Sequence, residues 1–158
     1  MRILLTLLLT VSYSLSVASS GDEKFVQETA IDVYKSEHCG CCNGWIDHLD
    51  KTGFQTNPIN HTQLNGIKDK FGIHPKLRSC HTGVAGNYVF EGHVPPISMK
   101  QFLDNPPPGA LGLSVPGMPI GSAGMEDGDR FQAYKVWLMN KDGTVEEFAS
   151  INSYEEQF

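Results

Sequence analysis

Cys39, Cys41 and Cys42 fall within four consecutive positions, in EHCGCCNGW at residues 37–45, and the remaining cysteine is Cys80. A thiolate is both the nucleophile of disulfide exchange and a metal ligand. The cluster therefore suits three chemistries: dithiol exchange, a structural metal, or a metal that the protein handles. Two disulfides would also absorb four cysteines, but disulfide geometry needs Cα separations that the adjacent Cys41 and Cys42 rarely reach. Cys39 and Cys42 keep CxxC spacing and are the candidate redox pair. Cys41 is unusual for a pure dithiol exchanger, because it places a competing thiol inside the site.

Other donors are scattered along the chain. Met118 and Met125 lie in VPGMPIGSAGMED, where neither a helical nor a strand period accounts for them. Their thioethers could fold over a site, although methionine is also a common gap-filler. Thiolate, thioether and imidazole together are soft donors suited to Cu(I), whereas zinc has little use for methionine. Met99 and Met139 lie on expected regular elements and read as core. His38 precedes the cluster directly, and His81 follows Cys80. His48, His61 and His74 have no evident partners.

The elements that must position these groups follow from pattern. TAIDVYKS (29–36) alternates apolar and polar residues and predicts a strand. Trp45, Ile46 and Leu49 share a helical face that stops near Gly53. The cysteine cluster thus opens a helix, whose free N–H groups and positive end favour thiolate. FQTNPIN (54–60) predicts an edge strand because of Pro58. Leu64, Ile67 and Phe71 mark a second helix. Gly86-Asn87 is a two-residue hairpin signal. Pairing outward from that turn sets Ala85 against Tyr88 and, further out, Cys80 against His93. ISMKQFLDN predicts a helix with Ser98 and Gln101 as capping box and Ile97 and Phe102 as staple.

The resulting order, β-α-β-α-β-β-α, is that of an α/β, thioredoxin-like sandwich. The Pro/Gly-rich residues 105–129 break the pattern, and a final hairpin is expected around Asp142-Gly143. The expected organisation is a signal peptide at 1–18, a flexible lead-in at 19–28, a thioredoxin-like domain at 29–104 and an extension at 105–158 that covers the site.

The first residues carry Arg2, an apolar run at 3–11 and small residues Ser16 and Ala18 before a cleavage point, as an export signal does. The apolar run is too short to span a bilayer. The expectation is a soluble exported protein with no membrane insertion after cleavage, in the periplasm of a Gram-negative cell, where idle thiols tend to pair. The 158 residues suffice for one domain with a core and a modest extension. A net charge of −6 argues against nucleic acid or an anionic membrane as partner.

CGCC (39–42), SCHTGVAGNYVFEGHVP (79–95) and GLSVPGMPIGSAGME (112–126) together resemble the CopG family of exported copper-resistance proteins, in order and over nearly the whole mature chain. The resemblance implies a thioredoxin-like domain whose C-terminal extension helps to bind copper. It implies several copper ions bridged by cysteine sulfur, and a role in cycling copper between oxidation states. Carried over by motif, the implied metal ligands are Cys39, Cys41, Cys42, Cys80, His93, Met118 and Met125. Expected partners are copper ions and periplasmic copper-efflux or electron-transfer proteins.

Overall fold

The computed structural model describes residues 30–158. The expected export signal at 1–18 and the lead-in at 19–28 lie outside the described residues. Seven strands form one mixed sheet in the order β2-β1-β3-β4-β5-β6-β7. The strands are β1 (Ile31–Lys35), β2 (Thr56–Asn60), β3 (Thr82–Ala85), β4 (Tyr88–Glu91), β5 (Ala110–Ser114), β6 (Tyr134–Asn140) and β7 (Val145–Ile151). Among the described residues, three α-helices accompany them: α1 (Gly40–Lys51), α2 (Leu64–Lys70) and α3 (Pro96–Asp104). The fold is thus mixed α/β. β1 runs parallel to β2 at the sheet edge, where Pro58 costs no shared ladder bond. The β3–β4 hairpin turns at Gly86-Asn87, with Ala85 opposite Tyr88 and Thr82 opposite Glu91.

Period-two alternation sorts side chains onto the two faces of this sheet. Phe90 belongs to the main core with Trp45, Leu49, Met99, Phe102, Leu113 and Val136. Its neighbour Val89 packs on the other side with Ile73 and Met139. Helices α1 and α3 therefore cover one face. Full burial of a side chain such as Phe102 or Leu113 contributes about 1.5–3 kcal/mol. The Trp45 indole is fully buried and donates its Nε1–H to Val94 O at 2.8 Å.

One strand is added to the expected order and one local expectation is corrected. Within the Pro/Gly-rich residues 105–129, ALGLS forms β5, parallel to β4 and antiparallel to β6. Gly112 permits this pairing, since a Cβ there would lie 1.8 Å from Val89 O. β5 joins the final hairpin to the earlier strands in a single sheet. The capping box on α3 does not form. The helix starts at Pro96 behind Pro95 as N-cap, and Met99 N–H bonds to Pro95 O at 3.1 Å. Ser98 is thereby inside the first turn, buried, and its Oγ has no partner among the described residues.

Candidate metal centre

β1 ends at Lys35, and a short turn carries the chain into α1 with Cys39 as N-cap. Cys39 N–H bonds to Ser36 O at 3.1 Å, and Asn43 N–H returns to Cys39 O at 3.3 Å. This turn sets Cys39, Cys41 and Cys42 around the positive end of α1. Cys39 and Cys42 are joined by a disulfide with Cα atoms 5.3 Å apart. Cys41 and Cys80 are free thiols. Cys41 Sγ lies 3.6 Å from Cys39 Sγ, and Cys80 Sγ lies 3.7 Å from Cys42 Sγ. The sulfur atoms of all four cysteines lie within 4.8 Å of one another.

The hairpin register brings His93 to Cys80, with Nε2 and Sγ 3.2 Å apart. On its other side His93 Nδ1 meets Ala123 O at 2.8 Å. A carbonyl only accepts, so Nδ1 carries the proton and Nε2 keeps its lone pair toward the sulfur. His81 Nδ1 also lies 3.2 Å from Cys80 Sγ, and its Nε2, buried, has no partner among the described residues. Cys80, His81 and His93 thus form a second group sharing Cys80 with the first.

Electrostatics keep these groups ready to bind a cation. Burial holds the His93 imidazole below its ordinary value. Burial, then His93 and Lys68, hold His81 well below its own. Both rings are neutral at neutral pH, the form that ligates. Burial and then neighbouring Cys41 push the Cys80 thiol up to about 12. Cys80 keeps its proton until a metal ion displaces it, as thiol ligation requires.

The other candidates are placed as follows. Met118 is 53% exposed, next to Gly117, whose backbone bonds Arg78 O and accepts from Ser79 Oγ beside Cys80. Met125 is half-buried in a turn where Gly121 N–H bonds to Met125 O at 2.8 Å. This loop packs onto the start of α1, and a Cβ on Gly124 would meet Trp45 N at 2.4 Å and Cys41 O at 2.6 Å. His38 is exposed; with Ser36, His61, Lys68 and Cys80 it lines an open cleft of about 600 Å³.

Sequence reasoning left three contributors without a role. His81 follows Cys80, and strict strand alternation would turn neighbours apart; a bend at Cys80 lets both meet. Glu91 is fully buried and accepts from Ser79 N–H at 2.6 Å, fixing the backbone that carries Cys80. Buried Lys68 balances it at 2.5 Å and also donates to Thr82 Oγ1 at 3.0 Å.

Four clustered sulfurs and two neutral imidazoles on a mixed α/β frame define a protein with a cysteine cluster able to bind a metal ion. Residues 77–125 match the family model described as a protein of unknown function, DUF411. Two solved structures of copper resistance protein CopG, forms 1 and 2, are each 37% identical to this chain. Each alignment covers 78% of this chain and 98% of the other, with TM-scores of 0.74 and 0.75. A search of the curated proteins finds no match. The chain belongs to the CopG family of copper resistance proteins.

Proposed function

We propose that this chain is a periplasmic copper-binding protein that interconverts Cu(I) and Cu(II) in copper resistance. The observation that carries this reading is the packing of Cys39, Cys41, Cys42 and Cys80 within 4.8 Å, with Cys80 shared by His81 and His93. Thiolates hold several copper ions by bridging, His93 adds a harder nitrogen donor, and Met118 and Met125 supply thioether sulfur at the loop. Sulfur favours Cu(I) and imidazole also suits Cu(II), so a mixed donor set serves both states. The order β2-β1-β3-β4 supports a thioredoxin-like reading of residues 29–104, with residues 105–158 as an extension reaching the site. Export by residues 1–18 completes the reading, and the cleft beside Cys80 gives ions, or a copper-efflux or electron-transfer partner, access.

Cys39 and Cys42 are the redox pair. As the dithiol they give up two electrons and two protons when the S–S bond forms, which reduces two Cu(II) to two Cu(I). The test is an anaerobic titration of reduced protein with Cu(II), followed by electron paramagnetic resonance and thiol counting. The reading predicts loss of the Cu(II) signal with one disulfide formed per two ions. A persistent Cu(II) signal with all thiols still reduced contradicts it.

The disulfide at the start of α1 favours a second reading, thiol–disulfide exchange with protein substrates. Disulfide reductase activity that survives Cys41→Ser and Met118→Leu would support it over copper chemistry.

A further inference from the structure

Gln157 lies in a 3-10 turn at Glu155–Gln157, far from every cysteine in sequence, yet its side chain is wholly buried. All of its hydrogen-bonding capacity is used. Oε1 accepts from Ala123 N–H at 2.7 Å and from Tyr134 OH at 2.8 Å. Nε2 donates to Gly121 O at 3.0 Å and to Tyr154 O at 3.1 Å. A carboxamide offers two acceptor sites on oxygen and two donor hydrogens on nitrogen, so the match is complete. Tyr134 stays a donor, because burial raises its phenol further. A glutamate at 157 would turn its second oxygen toward two carbonyls.

The residue so gripped is Ala123, whose own carbonyl accepts from His93 Nδ1. That bond fixes the His93 tautomer and aims Nε2 at Cys80. We propose that Gln157 is a positioning residue for the copper site, acting through Ala123 to hold His93 as the Nδ1–H tautomer with Nε2 directed at the cysteine cluster. This rests on the reading of His93 as a copper ligand. Helix α1 braces the same loop, through His48 Nε2 to Glu126 Oε1 at 2.6 Å and Glu126 Oε1 to Gly124 N–H at 3.0 Å. That brace leaves Ala123 N–H to Gln157 alone among the described residues' side chains.

The experiment compares wild type, Gln157→Met, His93→Ala and the double variant as full reduced chains. Methionine keeps the volume of glutamine and removes all four bonds. Cu(I) affinity is measured by competition with a chromogenic chelator, and the His93 tautomer by 15N NMR of the metal-free protein. Gln157→Met is expected to weaken Cu(I) binding about 10-fold or more, as loss of a partner to a ligating histidine does. His93 should then exchange between tautomers, and the Gln157→Met loss should vanish in the His93→Ala background. Unchanged affinity and an unchanged His93 spectrum overturn the inference, as does an equal loss in both backgrounds. If His93→Ala alone binds Cu(I) like wild type, the ligand reading of His93 falls, and the NMR comparison still decides whether Gln157 sets its tautomer. If Gln157→Met does not fold, Tyr134→Phe removes one of the two donors to Oε1; a His93 tautomer shift supports the inference and a fixed tautomer overturns it.

Discussion

Cys80 Sγ and His93 Nε2 face each other at 3.2 Å across the open end of the β3–β4 hairpin. Gly92 makes this approach possible. It has φ +74°, and a Cβ there would lie 2.5 Å from Ser79 Cβ and 2.6 Å from Val115 O. Gly92→Ala should cost about 3 kcal/mol or more, combining a left-handed backbone with a clash against main chain. Gly143→Ala shares the positive φ but meets nothing within 4 Å, and should cost only about 1–2 kcal/mol. Urea unfolding of both variants checks the contrast, and equal costs would contradict it.

The Lys68–Glu91 pair is buried beneath the backbone that carries Cys80. Lys68→Met leaves a buried carboxylate without its cation and should cost about 3–5 kcal/mol at neutral pH. Burial already holds the Glu91 carboxyl above its ordinary value despite Lys68, and removing the cation raises it further. A group with a raised folded pKa stabilises below its unfolded pKa and loses that contribution as pH rises through the folded value. The cost of Lys68→Met should therefore shrink as pH falls toward the carboxylate range. Urea midpoints of wild type and variant at several pH values test this, and a cost that grows on acidification would contradict it.

The two buried imidazoles act with the opposite sign. His81 and His93 titrate below the ordinary 6.5, so the folded chain binds fewer protons than the unfolded one. Reduced, metal-free protein should be fully stable above about pH 6.5 and lose stability as pH falls toward the folded values. His81→Gln should flatten that fall. A urea midpoint that holds steady or rises on acidification would contradict the assignment.

Much of this arrangement was legible because it is local. CxxC spacing, the apolar face of α1 and the Gly86-Asn87 turn each reside within a few residues, and the turn alone fixed the pairing that reaches Cys80 and His93. β5 was not legible. ALGLS shows no clean alternation between its PPPG and VPG flanks, and its Gly112 is explained only by Val89 on the neighbouring strand. The Ser98 cap was misread because Ser-x-x-Gln fits the motif, while Pro95-Pro96 starts the helix earlier. Lys68 and Glu91 carry no local signal, because only folding pairs them 23 residues apart. Gln157 reaches Ala123 and Gly121 over 34 and 36 residues, beyond any periodic signal.

Cys41 separates a copper cluster from a dithiol switch, because a bridging site uses a third sulfur at the helix start and a simple exchanger does not. Anaerobic Cu(I) loading followed by metal analysis and absorption spectroscopy of wild type beside Cys41→Ser tests this most directly. The account predicts several copper ions per wild-type chain with thiolate–copper charge transfer, and fewer ions with an altered spectrum in Cys41→Ser. Wild type that retains no copper, or a Cys41→Ser variant with the same stoichiometry and spectrum, would contradict it.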